Sequence, residues 1–118
     1  ADGSVLIVAE TRSVPGRLSA FDVAADGRLS GRRVFAELDA MPDGIAVDHD
    51  DSVWVASPFT NELLHLDADG TLADRVAAPT PYAVAVGSPG TVFACSSPTW
   101  VPADALAARE GAILRLGV

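Results

Sequence analysis

At 118 residues, 49% hydrophobic and 20% charged, the chain is sized for one small domain with its own core and is too apolar to be disordered by composition. A net charge of −8 argues against nucleic acid and anionic membranes, which select basic faces, and no apolar run approaches the roughly 20 residues of a membrane span. The single cysteine, Cys95, excludes an internal disulfide framework and cannot make a thiolate zinc site alone.

In chain order, the turn Ala1-Asp2-Gly3 leads into an apolar strand that begins at about Ser4 and runs through "LIVAE" (6–10). "RLSAFDV" (17–23) follows and enters an Asp26-Gly27 turn, after which "RLSGRRVFAEL" (28–38) reads as a more polar strand. Next comes "MPDGIAVD" (41–48), a Pro-Asp-Gly corner opening onto the short apolar run Ile45-Ala46-Val47. The turn Asp50-Asp51-Ser52 precedes "VWVAS" (53–57), then "ELLHLDA" (62–68), a second Asp-Gly turn at Asp69-Gly70, and "TLADRVAA" (71–78). The chain closes with "PYAVAVG" (81–87), a Ser88-Pro89-Gly90 turn, "VFACS" (92–96), a long loop and "AILRLGV" (112–118). The runs are short, rich in Val, Ile, Leu and aromatics, and bounded by Gly, Pro and Asp, which is strand chemistry. The Asp-Gly pairs are hairpin signals, because a tight turn needs positive φ and glycine adopts it at little cost. "PADALAARE", Pro102 to Glu110, is the one expected helix, with Pro102 near its start and Gly111 at its stop.

These runs repeat. "PDGIAVD" aligns without a gap on "PYAVAVG", Pro42 on Pro81 and Asp43 on Tyr82, 39 residues on, and "VWVAS" and "VFACS" keep the same spacing. A four-stranded antiparallel unit of about 40 residues is the size of a propeller blade. With the strands of a blade named inner, second, third and outer, the fold expected is all-β: a partial β-propeller of ten strands, roughly two and a half blades, with blade remnants 4–38, 42–78 and 81–118. The first remnant lacks an inner strand and the last lacks an outer one. Open edges of that kind point to a C-terminal segment of a longer propeller, or to self-association through the blade edges.

"MPDGIAVDHDDSVWVASPFTNELLHLDADGTL", the upstream "VLIVAETRSVPGRLSAFDVAADGRLSGRRVFAEL" and the ending "GAILRLGV" resemble the SMP-30/regucalcin, gluconolactonase and lactonase-like propellers, over essentially the whole chain and mapped to the C-terminal part of a six-bladed ring. The resemblance implies hydrolysis of a sugar lactone or related cyclic ester, and a divalent cation, calcium or zinc, in the central channel. It implies that Asp43 is both a metal ligand and a candidate general base. The other two ligands it implies, an N-terminal Glu and an Asn on the preceding inner strand, have no counterpart here, so the metal site is incomplete and this chain alone is expected to be inactive. The alternative is a non-catalytic propeller scaffold in which Asp43 merely caps a turn.

The repeat supports interest in Asp43. Core positions stay apolar from blade to blade, Ile45 against Val84 and Val47 against Val86, while Asp43 stands opposite Tyr82. Possible channel-lining residues are Tyr82, Glu10, Ser57 and Trp100; Glu10, Ser57 and Ser96 end equivalent second strands, and Trp100 lies in the long loop "SSPTWVP". His49, in the acidic "DHDD", is expected in a solvated turn, His65 in a structural or surface role, and Cys95 as a small buried residue. All eight basic residues are Arg, which fits a GC-rich, bacterial coding bias. No stretch has signal-peptide order, so a cytoplasmic location is expected.

Overall fold

The computed structural model describes residues 2–118, so Ala1, the first residue of the opening turn, lies outside the described residues. Ten strands form three antiparallel sheets. The first holds β1 (Val5–Glu10), β2 (Gly16–Val23) and β3 (Leu29–Leu38) in that order. The middle sheet holds β4 (Ile45–Val47), β5 (Val53–Ser57), β6 (Glu62–Leu66) and β7 (Leu72–Ala77). The last holds β8 (Pro81–Val86), β9 (Thr91–Ser96) and β10 (Ala112–Gly117). Consecutive strands pair throughout, so each sheet is an up-and-down meander: a partial β-propeller with one whole blade between two incomplete ones.

Period-two alternation explains how the sheets stack. In β5, Val53 and Val55 face the first sheet and join Leu18, Ala36, Leu38, Leu64 and Leu66 in one buried cluster. Trp54 and Ala56 face the other way and join Leu63, Ala78, Val92 and Ala94 in a second. A strand buried on both faces reads as the unbroken apolar run "VWVAS". On the outward faces of the terminal sheets the same alternation leaves Leu6, Val8, Val34 and Ile113 exposed. Cys95 lies there too. Its expected burial fails because Cys95 pairs with Ala83 and Ile113 on the face opposite buried Ala94.

One further expectation needs correction. The helix, α1, covers Pro102–Ala108 and ends at Arg109, which takes the left-handed conformation (φ 53°) and donates its N–H to the Ala105 carbonyl. Arg109, rather than Gly111, is the stop: its left-handed backbone ends the helix, none of whose residues is fully buried. The inner strand β4 is only three residues long. Upstream of it the Asp43 N–H still donates to the Ala56 carbonyl (2.9 Å), but the Gly44 N–H crosses to the Tyr82 carbonyl of the next sheet (2.9 Å). A Cβ on Gly44 would stand 2.6 Å from the Ala83 Cα, so this crossing requires glycine.

The turns are held by a recurrent device: Asp2, Asp26, Asp50 and Asp69 each accept the backbone N–H two residues on, from Ser4, Arg28, Ser52 and Thr71. Arg75 joins β7 to Glu62 and to Asp39, in the connection from the first sheet to the middle one. The Arg75 guanidinium holds the Asp39 carboxyl below its ordinary value, and the Ser52 hydroxyl and N–H do the same for Asp50. Carboxyls lowered in the folded state stabilise it above their unfolded pKa, and that contribution is lost as pH falls through the folded value. The urea midpoint is therefore expected to be flat near neutrality and to fall below about pH 4.5. Asp39→Asn flattens part of that fall, as urea melts across the pH series would show.

Candidate functional site

Antiparallel pairing fixes which loops share an end. Asp43 stands beside Ala56, at the end of β5, so the β1–β2, β3–β4, β5–β6, β7–β8 and β9–β10 connections lie at the Asp43 end. The opposite end carries the four Asp turns and the "DHDD" loop. A cavity of about 850 Å³ opens there, against Asp2, Val5, Val47, Asp51 and Asp69.

Asp43 follows fully buried Pro42 and precedes Gly44, whose N–H and carbonyl are both engaged, the latter by the Ala56 N–H (2.8 Å). Its backbone is thus pinned to two sheets. Its side chain is half-buried and makes no hydrogen bond or ion pair among the described residues. The four turn aspartates show what a structural carboxylate looks like in this protein, and Asp43 does not share that pattern. Tyr82 sits at a register shift in β8, between Pro81 and Ala83, where its carbonyl is free to take the Gly44 N–H. The structure therefore brings Tyr82 beside the Asp43-Gly44 corner.

The other sequence candidates are placed differently. The carboxylate of Glu10 is engaged by the Ser19 hydroxyl, by Arg32 (2.7 Å) and at longer range by Arg17 (3.6 Å), and the Ser19 bond followed by Arg32 holds its pKa below the ordinary range. Ser57 is fully buried and its hydroxyl is shared with Thr60. Ser96 donates to the Pro79 carbonyl. Glu10 is thus tied across its sheet to β2 and β3, Ser57 into its own turn, and Ser96 to the β7–β8 connection. Trp100 is 71% exposed in the loop before α1.

The acidic turn is a hydrogen-bonded scaffold. Asp48 accepts from the Trp54 indole N–H (3.0 Å) and from the His49 N–H, and His49 contacts the Gly87 carbonyl across to the last sheet (3.1 Å). His65 stacks on Trp54 with centroids 4.1 Å apart and bonds the Ser52 hydroxyl (2.9 Å). Because that hydroxyl already donates to Asp50, His65 Nε2 must carry the proton. Among the described residues no three His, Cys, Asp or Glu side chains stand together as a metal site. Calcium takes six to eight oxygens, more than the Asp43 carboxylate alone supplies.

A groove of about 370 Å³ also opens at the Asp43 end, between the β1–β2 loop and the β5–β6 turn. Val14, Met41 and Phe59 line it, three apolar side chains that sequence reasoning passed over. Their signal was present: each interrupts a turn segment, "RSVPG", "AMPDG" or "SPFTN", where polar residues are the rule.

Stacked antiparallel meanders of this kind define a partial β-propeller. The chain belongs to the SMP-30/gluconolactonase/LRE-like family, whose model matches residues 1–92. It is 34% identical over 91 residues to an L-arabinolactonase of Azospirillum brasilense, an alignment covering 73% of this chain and 30% of that protein. Among solved structures, a gluconolactonase of Xanthomonas campestris superposes with a TM-score of 0.70 at 28% identity, covering 82% of this chain and 32% of that one. A calcium-binding protein, regucalcin, from Agrobacterium tumefaciens superposes with a TM-score of 0.78 at 23% identity, covering 99% and 43%, and shows the shared fold. The chain thus spans between about a third and two fifths of the length of these relatives.

Proposed function

We propose that the whole protein hydrolyses a sugar lactone or related cyclic ester, and that Asp43 is this chain's contribution to the reacting centre. The observation that carries this reading is the Asp43 carboxylate, fixed by its backbone and left without an internal partner. The kinship with an L-arabinolactonase and a gluconolactonase supports the substrate class.

The chemistry follows from a carboxylate placed beside a water. Water adds to the lactone carbonyl carbon as Asp43 takes its proton; the ring C–O bond then breaks, and the departing alkoxide recovers a proton to give the open hydroxy acid. Half-burial keeps the carboxylate reachable while its pinned backbone limits the orientations it samples. A divalent cation, calcium or zinc, belongs to the proposal with Asp43 as one ligand; when bound it would polarise the carbonyl. One carboxylate is not a calcium site, so calorimetric titration of this chain with calcium chloride is expected to show no saturable binding below about millimolar concentrations. Tight binding would mean that ligands other than Asp43 are already present.

The decisive experiment follows L-arabinonolactone and gluconolactone hydrolysis by the full-length protein in a pH-stat, with and without Asp43→Asn. Full activity in the variant would remove Asp43 from the reaction.

A further inference from the structure

We infer that Tyr82 is the specificity-determining partner of Asp43: its phenol hydroxyl bonds a ring hydroxyl of the lactone, and so favours sugar lactones over cyclic esters that carry no hydroxyl. This inference rests on the lactone-hydrolase reading above.

The first argument is position. Tyr82 belongs to the Asp43 corner by a direct bond. The Gly44 N–H donates to the Tyr82 carbonyl (2.9 Å), and a Cβ on Gly44 would stand 2.6 Å from the Ala83 Cα, so the heads of the two inner strands are in backbone contact. The repeat puts them in equivalent places: Pro81 stands where Pro42 does, both fully buried, and Tyr82 where Asp43 does. β8 gives up a ladder pair to hold this contact, since Pro81 pairs with Ser96 and Ala83 with Cys95 while Tyr82 is passed over. A local irregularity of this kind re-aims a side chain, and such irregularities are over-represented beside active sites.

The second argument is chemistry. The Tyr82 side chain is half-buried, and its hydroxyl, like the Asp43 carboxylate, makes no hydrogen bond among the described residues. Nor is that hydroxyl enclosed: among the described residues the Arg17 Nε is the only side-chain polar atom both buried and unpartnered. The side chains of Glu10, Ser57 and Ser96, by contrast, are all engaged. A half-buried phenol ordinarily finds a partner. It both donates and accepts, which suits it to the alcohol groups of a sugar, and an unsubstituted lactone ring offers it none. Taking a proton from water and reading the substrate are different tasks, and two consecutive blades supply one residue for each.

The test measures kcat/KM of the full-length protein for L-arabinonolactone and for γ-butyrolactone, a ring of the same size without hydroxyls, before and after Tyr82→Phe. Loss of one hydrogen bond is expected to lower the ratio of the two values by about three- to tenfold, mainly through KM. An unchanged ratio in an active protein overturns the inference and leaves the lactonase reading intact. An equal fall for both substrates also overturns it, because it places the hydroxyl on the lactone carbonyl or in the scaffold. The variant keeps the ring and removes a hydroxyl without an internal bond, so the urea midpoint is expected to stay at the wild-type value. A lower midpoint shows the hydroxyl bonded within the whole protein and overturns the inference too. If the wild type hydrolyses neither lactone, the lactonase reading fails, and calorimetry judges Tyr82 alone. Tighter binding of L-arabinonolactone than of γ-butyrolactone, with the difference lost in Tyr82→Phe, supports it; a difference that is absent, or kept in the variant, overturns it.

Discussion

Trp54→Ala is expected to destabilise the protein by about 3–5 kcal/mol, while Trp100→Ala stays within about 0.5 kcal/mol, both read from urea unfolding followed by circular dichroism. The two residues share a chemistry and differ in surroundings. Trp54 is 2% exposed and lies in the apolar cluster between the middle and last sheets, whereas Trp100 stands in a loop. Removing the Trp54 ring opens a cavity between two sheets, and close-packed neighbours refill it only in part. It also strips the stacking partner from His65 and the donor from Asp48. Trp54→Phe separates these effects: it keeps most of the apolar volume and loses the Asp48 bond, so a cost of about 1–2 kcal/mol is expected. Equal costs for Trp54→Ala and Trp100→Ala would mean that the sheets are not held together through this cluster.

The contrast between the tryptophans also shows what was legible in the sequence. Strand order and blade grouping were readable because each element is locally specified. The Asp-Gly turns require a hairpin, and "VWVAS", apolar at every position, announces a strand with sheets on both sides. Features set by a neighbouring sheet were not readable. Cys95 belongs to an apolar run as convincing as that of Trp54, but its outward face meets no fourth sheet among the described residues. Gly44 reads as a turn residue, and its closest constraint is the backbone at Ala83, 39 residues further on. Glu10, Ser57 and Ser96 are equivalent in the repeat, yet what each hydroxyl or carboxylate bonds depends on Ser19 and Arg32, Thr60, and Pro79, which the repeat does not conserve. For the candidate site, the 39-residue repeat picked out Asp43. Its lack of an internal partner required the three-dimensional arrangement.

Asp43→Asn in the full-length protein is expected to lower kcat/KM for lactone hydrolysis by about a hundredfold to ten-thousandfold, the range that a positioned general base contributes. Asparagine has the shape of aspartate and keeps the backbone N–H that donates to Ala56, so the corner stays in place while the proton acceptor is removed. Stability should change by less than about 0.5 kcal/mol, because the carboxylate makes no internal bond that the amide would break. Asp50→Asn is the inverse control. Asp50 accepts from the Ser52 hydroxyl and N–H at the far end of the blade, so its loss should lower the urea midpoint and leave turnover unchanged. The two variants together separate the roles that an aspartate in a turn can play: a structural carboxylate shows in the melt and not in the rate, and a reacting one shows in the rate and not in the melt. A variant that melts early and keeps its rate would return Asp43 to the turn.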